Sequence, residues 1–324
     1  MSATRNTLLI VFILTTGLIA SGTVVAQPYP SKPVRLIVPT APGATADIVA
    51  RVMAQKLSDA FRQSVVVDNR PGAGNSLGTE IAVRANPDGY TLIVVSGSYA
   101  ANAALYKLPY DAKSDVTPIA LIGEAGLVVA LHPSLSVTSV KELMAYDKAN
   151  PGKLNYGSAG IGSGNHLGTE LFNQMADTRM KHVPYKGTGP AMNDLLGGQI
   201  QVVIGGMPPM IPQVKANRLR GIAVTTAQRS NAVPDIPTVA ETIAGYKYVN
   251  WAAVLGPKGL PNEVVARWNS EINRILQLPD LKARMAADGM EPAGGSPARF
   301  RELLTRDIAK WQKVVKLANI KLEH

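Results

Sequence analysis

Apolar runs of four to six residues alternate along this chain with stretches whose apolar side chains recur every three or four positions. The run Val34-Arg35-Leu36-Ile37-Val38 predicts a buried strand. It passes through the Pro/Gly turn of Pro39 to Gly43 into a helical pattern that contains Asp47. Val65-Val66-Val67 predicts a second strand, ended by Asp68-Asn69-Arg70-Pro71-Gly72-Ala73-Gly74, with a helix from about Ser76. Asn86-Pro87-Asp88-Gly89 is a turn signal, and Tyr90 to Val95 is the next apolar run. This alternation predicts α/β architecture, with mainly parallel sheets covered by helices.

The rhythm continues through the second half. Two apolar runs within Ile119 to Leu131 flank Gly123-Glu124-Ala125-Gly126, where the chain is expected to enter a second lobe. Ser139-Val140-Lys141-Glu142 fits a capping box at a helix start. Strands are expected at Leu154 to Tyr156, His182-Val183, Gln201 to Ile204 and Ile222 to Val224, with a return to the first lobe around Tyr248 to Leu255. Two amphipathic helices close the chain. One carries the stripe Val264, Val265, Trp268, Ile272, Ile275, Leu276; the other carries Phe300, Leu303, Leu304, Ile308, Trp311, Val315, with Ser296 as N-cap and Pro297 at the first helical position. Their tryptophans are expected in the core. The division this implies is residues 27–123 and 249–324 for one lobe and 124–248 for the other.

The first residues break this pattern. Arg5 precedes the apolar run Leu8 to Ala20, and small residues end at Val24-Val25-Ala26. This reads as a secretory signal peptide, residues 1–26, rather than a retained anchor, because the apolar stretch is short for a bilayer span. Export to an oxidising compartment is expected. The chain has no cysteine, so no disulfide supports the fold there. Its formal charge is +10, but Lys and Arg are scattered and only 5% of residues are aromatic. That excludes a nucleic-acid surface and leaves a general bias toward anions.

Signatures of catalysis are missing from the sequence. No G-x-S-x-G occurs, and the four histidines, His132, His166, His182 and His324, form no H-E-x-x-H. His166 and His182 are expected to approach one another as structural histidines; no metal and no cofactor are expected. Gly72-Ala73-Gly74 and Gly160-Ile161-Gly162-Ser163-Gly164 look like phosphate loops, but Leu77 and Asn165 occupy the final glycine positions of G-x-G-x-x-G.

What the chain does contain is a set of small, polar turns after strands. They are Pro42-Gly43-Ala44-Thr45, Ser96-Gly97-Ser98, Ser158 through His166, Tyr185 through Pro190, and Gly205-Gly206-Met207-Pro208. In open α/β sheets such turns lie at the carboxyl edge, where ligands bind. Free N–H groups at helix starts suit a carboxylate. The candidate ligand-binding residues are Pro42, Gly43, Ala44, Thr45, Asp47, Ser96, Ser98, Ser158, Gly162, Ser163, Gly164, Asn165, Tyr185, Lys186 and Gly205. Asp47, in a first helical turn, serves either as a cap or as a partner for a ligand amino or hydroxyl group. Lys186 either pairs with a carboxylate or is an exposed loop lysine.

Read in order, several segments resemble the extracytoplasmic solute receptors of tripartite tricarboxylate transporters, the Bug family. They are Tyr29 to Pro39, Ala41-Pro42-Gly43, Asn69 to Gly74, Pro87 to Leu92, Leu108 to Asp111, Asn150 to Tyr156, His182 to Gly187 and Pro234 to Glu241. The resemblance implies a type II periplasmic-binding-protein fold, with two α/β lobes joined by a two-strand hinge. It implies a monomeric receptor that captures a small carboxylate between the lobes and delivers it to integral-membrane permease subunits. An exported sensing module, or an atypical hydrolase or isomerase, are the alternatives. Two positions depart from the family pattern: Ala44 replaces a glycine, and Gly205 stands where many members carry Asp. The identity of the carboxylate is left open.

Overall fold

The run Val34–Val38 forms strand β1, placed between two parallel neighbours, β2 (Val65–Asn69) and β3 (Thr91–Ser96). A parallel strand covered on both faces keeps apolar side chains on both. Leu36, Ile37 and Val38 are accordingly fully buried, while Arg35 pairs with Asp68 on β2, Nη2 to Oδ2 2.6 Å. The computed structural model describes residues 29–318; the expected signal peptide lies outside them. Among the described residues no helix is long and apolar enough to cross a membrane.

The first lobe is completed by helices α1 (Thr45–Phe61), α2 (Ser76–Val83) and α3 (Ser98–Leu105), each following one of these strands. The chain then enters β4 (Val116–Leu131). The second lobe runs α4 (Val140–Ala149), β5 (Asn155–Ser158), α5 (Gly164–Ala176), β6 (Lys181–Pro184), α6 (Thr188–Leu196), β7 (Val202–Gly206), α7 (Met207–Lys215) and β8 (Arg220–Val224). Strand β9 (Val249–Pro257) returns, and α8 (Asn262–Ile275), α9 (Pro279–Ala287), β10 (Met290–Pro292) and α10 (Pro297–Ala318) finish the fold. Both lobes keep a parallel group, β2-β1-β3 in one and β6-β5-β7 in the other. Every antiparallel pair involves β4 or β9, the two strands that cross between lobes.

Strand β4 is shared between the lobes. Through Gly126 it pairs with β9; from Leu127 to Leu131 it pairs with β7, and from Val128 with β8. Thr225, fully buried just after β8, ties both crossings together. Its hydroxyl donates to the Tyr248 carbonyl at 2.7 Å and accepts the Leu127 N–H at 2.6 Å. Its own N–H donates to the Leu127 carbonyl, and its carbonyl accepts the Tyr248 N–H. Four backbone groups at the point of crossing thus depend on one residue.

The closing helices are core elements, as their stripes predict. Trp268 of α8 has no exposed surface; its Nε1 donates to Tyr29 Oη at 2.7 Å, and Phe61 of α1 meets its ring edge-on. In α10, Phe300, Leu304, Ile308 and Trp311 are buried, and Ser296 caps the helix by accepting the Arg299 N–H. The expected box at Ser139 is shifted. Ser139 Oγ accepts the Glu142 N–H, but the Glu142 carboxylate reaches back one residue further, to the N–H and hydroxyl of Thr138.

His166 and His182 do meet, with ring centroids 4.4 Å apart beneath the loop that leads into α5. Tyr156 stacks on His182 at 4.8 Å and donates to Glu170. Ser158 Oγ and His182 Nε2 share a hydrogen bond of 2.6 Å, and His166 Nδ1 accepts the Gly162 N–H. The acceptor at His166 Nδ1 needs a neutral ring. Burial pushes both imidazoles down from 6.5 to about 4, and for His182 the neighbouring His166 adds to the effect. A base depressed by folding binds fewer protons folded than unfolded. Its contribution is therefore complete above pH 6.5 and is lost as pH falls toward about 4.

Two outcomes are expected. Urea midpoints should decline between pH 6.5 and about 4, and His182→Gln should flatten that decline; an unaltered pH slope in the variant would remove the histidines from the explanation. Thr225→Val should lower the unfolding free energy by about 1–3 kcal/mol, because it strands a buried donor and acceptor. Urea denaturation at neutral pH reads this directly.

Candidate functional site

A cavity of about 490 Å³ lies between the lobes. Lobe one contributes Thr40 and Ala41, the start of α1 at Ala44 to Ala46, the loop around Gly72 to Asn75, and Ser96 and Ser98. Lobe two contributes Ala159 and Gly160, the start of α5 at Ser163 to Asn165, and Tyr185 to Thr188 at the start of α6. Asn250, on the crossing strand β9, forms part of the wall. The first residue or the N-cap of five helices (α1, α2, α3, α5, α6) therefore faces one space.

Helix starts leave their first N–H groups without intrahelical partners. Among the described residues, the N–H groups of Thr45, Ala46, Gly164, Asn165 and Thr188 have no acceptor. Ser163 caps α5 through the His166 N–H, which leaves the two earlier amides free. The aligned peptides place roughly half a positive charge at each end. Of the described side chains lining the cavity, Lys186 alone carries a formal charge, and none is Asp or Glu. Asn250 Oδ1 is committed to the Gly97 N–H at 2.7 Å, so its amide nitrogen is turned toward Gly164.

The lobes touch around this space. Tyr106 Oη, from the end of α3, donates to the Ile161 carbonyl at 2.8 Å. A Cβ on Gly206 would lie 2.2 Å from Thr45 Oγ1, and one on Gly187 would lie 2.6 Å from the Ala41 Cβ. Small residues stand where the opposing backbones approach.

Of the residues the sequence suggested, Ala44, Thr45, Ser96, Ser98, Ser163, Gly164, Asn165, Tyr185 and Lys186 line the cavity. Pro42, Gly43, Asp47, Ser158, Gly162 and Gly205 do not. The Asp47 carboxylate is buried and spent locally: it accepts the Gly43 N–H at 2.9 Å, the Asn69 amide at 2.9 Å and the Arg51 guanidinium. These partners outweigh the desolvation that is the largest single influence on it, and hold its pKa below the usual 3.8. Ser158 is held by His182 and the Gly160 N–H, and Gly162 by His166. Gly205 lies inside β7 against Met210, where a Cβ would come within 2.2 Å of the methionine methyl. The Ala44 departure costs nothing in backbone terms. Its φ of −72° and ψ of 158° suit any L-residue, and the left-handed position is Gly43 at +82°.

Thr188, within the expected turn Tyr185 through Pro190, also faces the cavity, as do Asn75 and Asn250, which the sequence did not single out. Asn75 follows Gly72-Ala73-Gly74 and holds a left-handed φ of 76° as the N-cap of α2. Asn250 carries no local signal, since it sits within a strand.

Comparison with known proteins agrees with this geometry. The family model described as tripartite tricarboxylate transporter family receptor matches residues 49–320. Protein BugT of Bordetella pertussis is 36% identical over 319 residues, 97% of each chain. A structure of an R. palustris protein with adipate superposes with a TM-score of 0.88 at 36% identity, covering 90% of this chain and 99% of its own. MatC from Rhodopseudomonas palustris with bound malate superposes at 0.84 with 28% identity, covering 89% and 100%. With its two lobes, its crossing strands and its ring of helix starts, this chain belongs to the tripartite tricarboxylate transporter receptor family.

Proposed function

We propose that the protein is an exported, periplasmic receptor that closes its lobes on a small carboxylate and presents it to the membrane subunits of a tripartite transporter. It is a binding protein in this reading, not an enzyme. The observation that carries it is the convergence of unpaired N–H groups from both lobes on one cavity whose described lining has no acidic side chain. Related structures hold adipate and malate, both small carboxylates. The ligand oxygens take the free amides of α1 on one side and of α5 and α6 on the other. Lys186, exposed, is the one formal countercharge among the described lining residues.

Contact with both halves is what makes closure favourable: a ligand that binds the shut form better shifts the population toward it. The lobes, residues 27–123 with 249–324 and residues 124–248, swing about the crossings near Gly126 and Tyr248. Micromolar affinity corresponds to about −8 kcal/mol, within reach of several charge-assisted amide contacts in a space closed to water.

Two measurements test this. Thr45→Pro removes one of the free N–H groups at a position where helices accept proline, after an extended Ala44 that tolerates it. Calorimetry with adipate or malate should show affinity reduced by about 10- to 100-fold, with Thr45→Val as the control that keeps the N–H. Unchanged affinity in a folded proline variant would count against the amide site. Small-angle scattering should show a smaller radius of gyration at saturating ligand than without it; identical profiles would argue against hinged closure.

A further inference from the structure

Resting on the receptor reading, we infer that Tyr106 is a positioning residue for ligand retention: its hydroxyl, reaching across from lobe one, latches the loop from Ser158 to His166 in the shut form and sets how long a ligand is held. Tyr106 does not line the cavity. It stands at the C-terminal end of α3, where the two glycine-rich loops of the sequence come together. A Cβ on Gly74 would lie 2.5 Å from Tyr106 Oη, and one on Gly162 would lie 3.2 Å from Cε2 of the same ring. Gly74 belongs to lobe one and Gly162 to lobe two, and both hold left-handed φ, +61° and +76°. The ring thus fills the space between a loop of each lobe, and a side chain at Gly74 would displace it.

The hydroxyl acts on one peptide group. Tyr106 Oη donates to the Ile161 carbonyl at 2.8 Å, and the N–H of the same peptide, on Gly162, donates to His166 Nδ1 at 3.2 Å. That planar unit is held at its oxygen from lobe one and at its nitrogen from lobe two. Two bonds in series through one amide polarise it, so each strengthens the other. Directly after it come the N-cap Ser163 and the N–H groups of Gly164 and Asn165, which have no acceptor among the described residues. Fixing the peptide between residues 161 and 162 therefore fixes how α5 presents its first amides to the cavity. Asn102, one turn earlier on α3, donates to the Gly74 carbonyl and holds the lobe-one loop against the same ring. Burial raises the Tyr106 phenol above its ordinary 10.0, so it remains a donor wherever carboxylates are charged. Because Tyr106 and Ile161 belong to different lobes, opening parts them. The bond adds to the shut form, and its weight falls on the escape of ligand rather than on its entry.

Tyr106→Phe removes the hydroxyl and keeps the ring between the glycines. Adipate and malate are the probes, with calorimetry for affinity and surface plasmon resonance on the immobilised mature protein for rates. The better-bound acid should leave the variant about 5- to 10-fold faster than the wild type, the worth of one hydrogen bond, with association within about twofold. The urea midpoint without ligand should match the wild type, because the open form does not make the bond. An unchanged dissociation rate would overturn the inference and leave the receptor reading standing. So would a lower ligand-free midpoint at unchanged affinity, which would make the bond a fixed part of the fold, or a loss of affinity carried by slower association. If the wild type binds neither these acids nor any of a panel of small carboxylates, the receptor reading itself fails and the inference falls with it.

Discussion

A helix cannot satisfy the first N–H groups of its own backbone, and this chain gathers five such ends around one space. Ordinarily a side chain or water answers those groups. Here Ser163 answers one for α5, and Asp47 answers the Gly43 N–H just ahead of α1. The amides of Thr45, Ala46, Gly164, Asn165 and Thr188 have no acceptor among the described residues. The result is an electropositive site built almost wholly from peptide dipoles, with Lys186 as its single formal charge among the described lining residues. Dipoles held by the backbone need no reorganisation when an anion arrives. Small residues at the same positions let that anion come close.

The same constraint governs how the halves are joined. Amides from two lobes can converge only if the chain crosses between them, and β4 and β9 make those crossings side by side. Thr225 ties Leu127 of β4 to Tyr248, just before β9, through four hydrogen bonds to backbone groups, two of them from its hydroxyl. Around the cavity the lobes also meet through Tyr106 on the Ile161 carbonyl, Thr45 against Gly206 and Ala41 against Gly187.

Much of the fold was legible because the signals are local. The Val34 to Val38 run, the turn at Pro39 to Gly43 and the stripe through Trp268 each reflect burial or periodicity that a few residues express alone. The polar turns were legible for the same reason, which is why Thr45, Ser98, Gly164 and Lys186 emerged as candidates before any coordinates. The sequence could not say which way each turn would point its side chains. Asp47 and Ser158 carry the right chemistry but spend it within their own loops, and Gly205 is needed by Met210. The box at Ser139 moved by one residue because Glu142 found a better donor pair at Thr138.

The order of strands and helices, the places where helices begin and the presence of small residues there follow from hydrophobic pattern and backbone chemistry within short windows. Those features already implied an anion site of some kind. Which amides remain unpaired, that Asn75 and Asn250 join the wall, and that no described acid shares the cavity were settled by tertiary structure alone. The reason is that a donor is free only relative to everything packed around it. Residues as distant as Gly97 and Asn250 become partners only once the chain has crossed between lobes and come back.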